Sequence, residues 1–225
     1  MVWIGKIRQW DTKKELLIFL RNQNVLSLAQ RGVATNVESF NGAPPQVIFD
    51  LSVGAGLKNV RSITVSGAPL SEYDDYTVDY EGTNPGRITF TVAPAGGVNN
   101  VVITFDSGDG DSIYPDFPRT DISIESYPRI SIDIVDITTN PFGVGNTHKI
   151  SNIRVTVHIL STSLKEVEEI TEAVRNAFLD NATTFWHFQY ITPSSTSELQ
   201  IPEFRKFEVE KRVLLLDIVL QAEQT

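Results

Sequence analysis

Between Asn41 and Gly110 the chain carries five short runs rich in β-branched and aromatic residues: Gln46–Val53, Val60–Ser66, Tyr76–Tyr80, Arg87–Val92 and Asn100–Asp106. They are separated by Gly54-Ala55-Gly56, Gly67-Ala68-Pro69, Gly82-Thr83-Asn84-Pro85-Gly86 and Pro94-Ala95-Gly96-Gly97. Glycine and asparagine tolerate positive φ and proline cannot donate to a central ladder, so these clusters predict loops or hairpin turns. With no helical period in the block, the expected structure of residues 41–110 is a small antiparallel β-sandwich. Linker-like stretches, Asn41–Pro45 and Ser107–Asp111, flank it, which marks it as an insertion.

Residues 1–40 and 111–225 read as one discontinuous α+β domain with a mostly antiparallel sheet and packed helices. Thr12-x-x-Glu15 has the form of a capping box. Leu16, Leu17, Phe19 and Leu20 then make an apolar stripe, and Val25, Leu26, Leu28 and Ala29 predict a short turn of helix before Gly32. Ile122 and Ile124, then Ile130, Ile132 and Ile134, alternate as half-buried strands do. Asn140–Asn146 predicts a break, with His148 in the loop. Ile153, Val155, Val157 and Ile159 form the next strand, with Arg154, Thr156 and His158 on its other face. It leads into a second capping box, Ser163-x-x-Glu166, and a helix striped by Leu164, Val167, Ile170, Val174, Ala177 and Phe178. Phe185–Tyr190 and Phe207–Leu220 predict the last strands. The second is apolar on both faces and so should be covered on both. One helix covers one face, which leaves the other for the first helix or another subunit.

Composition removes whole classes of function. The 225 residues include 28 acidic and 19 basic side chains, a net charge of −9, and no run of Lys and Arg exceeds two. A nucleic-acid clamp would need a basic stripe. With no cysteine there is no disulfide framework, thiolate metal site or cysteine nucleophile. No apolar run approaches the roughly 20 residues of a membrane-spanning helix, and the start, Met1–Lys6, lacks the apolar core of a secretory signal. His148, His158 and His187 stand apart from partners at metal-ligand spacing. Asp106, Asp109 and Asp111 do not match a calcium loop and read as solvated linker acids. Gly54-Ala55-Gly56 lacks the third glycine and following helix of a phosphate loop and reads as a hairpin turn. Asn181-Ala182-Thr183 matches a glycosylation triplet by chance. Trp3, Trp10, Phe185, Trp186, Phe188 and Tyr190 read as core or interface packing. No nucleophile elbow, P-loop or carboxylate pair is present. The chain is therefore not expected to be an enzyme. No catalytic, cofactor-binding or metal-ligating residue is assigned, no cofactor is expected, and the binding residues are left open.

The order of the outer elements carries a resemblance. The helix Lys13–Gln23 and the stretch Val25–Gln30 are followed by Ile113-Tyr114-Pro115-Asp116-Phe117-Pro118. Then come the strand Tyr127–Ile134, the strand Ile153–Leu160 and the helix Leu164–Phe178. This order resembles the tail-terminator (tail-completion) and neck proteins of long-tailed bacteriophages over roughly 150 residues. The inserted block, with Asp75–Tyr80, Arg87–Pro94 and Val101–Phe105, is similar to small β-sandwich modules of virion proteins. The resemblance implies a hexameric ring at the head-proximal end of the tail tube, in the tail or neck of a virion assembled in the host cytoplasm. Its implied partners are the tail tube protein and the head–tail connector or neck proteins, with DNA passing through the lumen unbound and no membrane contact. The inserted block would project away from the channel. Alternatives are another neck, tube or baseplate component, or a carbohydrate- or surface-binding module built on Tyr73, Tyr76 and Tyr80.

Overall fold

The computed structural model describes residues 9–80, 83–115, 127–142, 148–182, 185, 190–198 and 209–223. The chain forms two compact units. One is discontinuous, Met1–Leu26 with Ser112–Thr225, and Ser27–Asp111 between them is the other.

The discontinuous unit opens with α1 (Gln9–Asn22). Thr12 lies inside this helix, which already includes Gln9, and is buried, so Thr12-x-x-Glu15 is not its capping box; Glu15 is buried too. The second unit takes up α2 (Leu28–Arg31) and β1 to β7, given below. The discontinuous unit resumes with β8 (Ile113–Tyr114), β9 (Arg129–Phe142), β10 (His148–Ser161), α3 (Leu164–Asp180), β11 (Tyr190–Glu198) and β12 (Glu210–Glu223). They make a five-stranded sheet of order β11-β12-β10-β9-β8, in which β8 alone runs parallel to its neighbour.

Ser163 caps α3 by accepting the Glu166 N–H at 3.4 Å. The Glu166 carboxylate turns to the Ser161 hydroxyl, which itself accepts the Ser163 N–H at 3.2 Å. The predicted stripe, apart from its first member Leu164, which stays 50% exposed, then seals one sheet face. Val167, Ile170, Val174 and Phe178 join Ile153, Val155, Val157 and Ile159 of β10 and Leu214, Leu216 and Ile218 of β12 in a single core. Leu16, Leu17 and Leu20 of α1 enter that same core, so the first helix does not cover the other face of β12, as one of the two expectations had it. On that other face Val213 and Lys211 are nonetheless buried. The rings of Phe19, Phe178 and Phe185 meet at centroid separations of 4.6 to 6.2 Å, which fixes α1 against α3. Two further expectations shift: His148 begins β10 rather than sitting in a loop, and the first part of the predicted break at Asn140–Asn146, Asn140–Phe142, is still strand. β11 begins at Tyr190, and residues 186–189 of the strand predicted over Phe185–Tyr190 lie outside the described residues. Ile122 and Ile124 lie outside the described residues.

The second unit begins at Ser27, not near residue 41. Ser27 and Gln30 form a reciprocal capping box on α2, and Gly32 closes it with φ +66°. There follow β1 (Ala34–Gly42), β2 (Ile48–Asp50), β3 (Leu57–Val65), β4 (Ala68–Leu70), β5 (Tyr76–Asp79), β6 (Arg87–Phe90) and β7 (Gly97–Ser107). A four-stranded sheet, β1-β7-β3-β4, and a three-stranded sheet, β2-β6-β5, are both antiparallel. β1 is what moves the boundary: it pairs along β7 from Ala34 to Gly42. Val101, Ile103 and Phe105 of β7 are fully buried, as are Ile63 and Ile88, while Phe40 of the larger sheet meets Phe49 of the smaller at 5.5 Å. Ser66-Gly67, both at positive φ, forms the two-residue turn between β3 and β4. Gly54–Gly56 is not a hairpin turn but one turn of 3₁₀ helix that carries the chain from the smaller sheet to the larger.

Candidate assembly surface

In the discontinuous unit, β9, β10 and β12 outrun the core that α1 and α3 seal. A bulge falls in β9 opposite the Arg154–Val155 step, and beyond it the ladder continues without interruption. Asp136–Phe142 thus lies in register with His148–Arg154, and those residues in turn with Asp217–Glu223. At about 3.3 Å per residue, this tongue runs roughly 20 Å past the bulge, with β11 flanking β12 at its root as far as Val219. Ser151, Ile153 and Ile218 at its root are buried, whereas two apolar side chains of β9 are exposed, Val135 at 59% and Ile137 at 38%.

One face of the tongue bears Asp136, Arg154 and Asp217, brought side by side by the strand register. Arg154 Nε donates to Asp217 Oδ1 at 3.2 Å, and Thr138 Oγ1 donates to Asp136 Oδ2 at 3.1 Å. With Asn152 and Val219 they line a shallow depression of about 370 Å³. An exposed ion pair of this kind holds geometry more than it adds stability, typically under ~1 kcal/mol.

Further along the same face the environment closes. His158 lies opposite both Ser131 and Val213 in the ladder, near Lys211. Burial and then the Lys211 charge hold its imidazole down at about 4, against a weaker opposing pull from Asp133. Burial likewise brings the Lys211 ammonium down to about 8. At neutral pH the half-buried His158 imidazole is therefore neutral.

The remaining sequence candidates resolve individually. Asp106 is not a solvated linker acid. It is buried, and its carboxylate accepts from Arg31 Nη1 at 2.9 Å, Arg61 Nε at 2.6 Å and Nη2 at 2.8 Å, and Thr35 Oγ1 at 2.8 Å. Burial pushes this carboxyl up, but those donors overrule it and leave it below the usual range. Asp111 faces Arg31 Nε at 3.5 Å. Among the described residues no group of three His, Cys, Asp or Glu side chains is placed to hold a metal. Tyr76 and Tyr80 are core residues, and the Tyr80 hydroxyl accepts the Val60 N–H at 3.3 Å, so they form no sugar-binding platform. Asn181 Nδ2 donates to the Ala177 carbonyl at 2.9 Å at the end of α3. Phe185 is buried and Tyr190 is exposed; Trp3, Trp186, Phe188 and His187 lie outside the described residues. No described helix is long and apolar enough to cross a membrane.

Sequence reasoning passed over the tongue, although past Ile134 an alternation resumes one residue out of phase, at Val135 and Ile137. The proline at 141 hid it.

No family model and no curated protein matches the chain. Among solved structures it is similar to a chain from the virion of a native gene transfer agent particle. The identity is 9% and the TM-score 0.39, and the match covers 49% of this chain and 79% of that one.

Proposed function

We propose that the chain is a structural component of a virion and not an enzyme. More particularly, we propose a tail terminator that self-associates into a ring at the head-proximal end of the tail tube and joins it to the neck. The observation that carries this reading is the tongue. β9, β10 and β12 stay in ladder register past the core residues Ile153 and Ile218 and, with Val135 and Ile137 exposed on β9, present surface that a neighbouring copy would bury. The element order that resembles tail terminators runs through the same strands and into α3. The mechanism is geometric: ring closure ends tube growth and leaves a docking face for the neck. Closed rings form by heterologous contact between different patches of identical subunits, so a projecting tongue and a receiving face are the parts required. On this reading Ser27–Asp111 is a sandwich module that contacts a neighbouring virion protein.

The test is to add a small gold-binding tag at the C-terminus and image assembled particles by electron microscopy. Gold at the head–tail junction supports the terminator. Gold at the tail tip or along the tube assigns the chain to the baseplate or tube, and unlabelled particles refute a virion role.

A further inference from the structure

Negative charge is concentrated in the second unit. Between Ser27 and Asp111 there are four basic residues, Arg31, Lys58, Arg61 and Arg87, and ten acidic ones. Arg31 and Arg61 are taken up by Asp106, and Arg87 by Asp50 at 2.7 Å. No lysine or arginine occurs between Arg61 and Arg87, or from Ile88 to Pro118. The first of these stretches contains Glu72, Asp74, Asp75 and Asp79.

Two of those acids border an apolar notch. Val65 at the end of β3, Leu70 of β4, Phe90 at the end of β6 and Pro94 line a space of about 230 Å³ with Asp74 and Asp75 at its edge. The acidic and apolar sides are tied into one surface. The Thr91 N–H donates to the Asp75 carbonyl at 2.8 Å, and Thr91 Oγ1 donates to the Asp74 carbonyl at 3.1 Å. The loop that follows is pinned as well: Asn100 Nδ2 donates to the Ala95 carbonyl at 2.8 Å while Asn100 Oδ1 accepts the Gly42 N–H at 2.7 Å. This anchored segment still leaves Val92 77% exposed and Val98 82%. The Tyr76 hydroxyl registers the local field: burial raises its pKa first, then Glu72 and Asp75.

We propose that this notch docks a partner protein through a segment in which an aliphatic or aromatic side chain stands beside a lysine or arginine. The apolar side chain would enter over Phe90, and the cation would meet Asp74. Charge complementarity selects this occupant. An acidic or purely apolar segment would leave the carboxylates uncompensated or desolvate them against nothing. The proposal stands whether or not the chain is a tail terminator.

The test is a methyl-NMR titration of the full-length chain with acetyl-Gly-Leu-Arg-Leu-Gly-amide, with the Glu-for-Arg peptide as control. The arginine peptide should shift the methyls of Val65, Leu70 and Val92 saturably, and the glutamate peptide should not. Asp74→Asn should weaken binding about two- to five-fold, the range an exposed ion pair supports. Val92→Ser should weaken it with the remaining methyl spectrum unchanged. Equal responses to both peptides, or shifts confined to other methyls, would overturn the proposal. So would calcium chloride alone, if it reproduced the shifts and displaced the peptide, because the site would then belong to a cation.

Discussion

Arg31 is 1% exposed, and its guanidinium spans three partners: Asp106 Oδ2 at 2.9 Å, Asn59 Oδ1 at 2.9 Å and Asp111 Oδ1 at 3.5 Å. It stands at the start of the second unit and reaches β3, β7 and the unit's last residue, so it clasps both ends of that unit to its larger sheet. Arg31→Met keeps the apolar stem and removes the charge. Removing one partner of a buried ion pair costs about 3–5 kcal/mol. Asp106 keeps its two bonds from Arg61 and one from Thr35, which places the loss near the lower end; taking a donor from Asn59 adds about 1 kcal/mol. The expected total is ~3–4 kcal/mol, at least a hundredfold in the opening equilibrium of the unit at ~1.4 kcal/mol per decade. Arg31→Lys keeps the charge but loses the planar fork, and should fall between the two. Hydrogen exchange of the β3 and β7 amides reads the effect directly, because the three tryptophans all lie outside Ser27–Asp111. If Arg31→Met changes that exchange less than threefold, or Arg31→Lys behaves as the parent, the clasp does not hold the unit together.

Val174→Asp places a charge in the core between α3 and β10, where Val174 has no exposed surface, and should cost several kcal/mol. Soluble, normally folded protein by circular dichroism would contradict this. Gly86 has φ +85°, and a methyl there would stand 3.2 Å from the Gly54 backbone; Gly86→Ala should cost about 1–3 kcal/mol in denaturant titration. His158 titrates near 4 in the fold against 6.5 in the unfolded chain, so the unfolded state binds the extra proton between those values. Its contribution is complete above pH 6.5 and is lost as pH falls towards 4, by up to ~3 kcal/mol. Urea titrations across that window should show the decline, and His158→Leu should flatten it. In Lys211→Met the His158 midpoint, followed by NMR, should move upward as the neighbouring charge disappears.

How far the residues announce the fold depends on whether their signal is local. α3 was legible because the Ser163 cap, the three-and-four spacing of its stripe and the alternation of β10 all agree. Gly32 likewise marked the end of α2. β1 was not legible. Ala34–Gly42 is polar and mostly exposed, and it is a strand because β7 offers it a ladder, a long-range fact no local window contains. β4 was hidden by Pro69, which an edge strand tolerates. Asp106 shows the same limit in the site: three acids among glycines look solvated until Arg31 and Arg61, 75 and 45 residues away, are folded against the first of them. The tongue was half legible, since its alternation was visible but its reach past the core depends on where the helices end.

The central claim is self-association through the tongue, and the mass of the full-length chain in solution tests it most directly. Light scattering across a concentration series should find a discrete assembly near 150 kDa, about six copies of the 25.1 kDa chain. Val135→Glu with Ile137→Lys should shift that mass towards a folded monomer. A parent protein that stays at 25.1 kDa at every concentration, or a double variant that assembles as the parent does, would contradict the account.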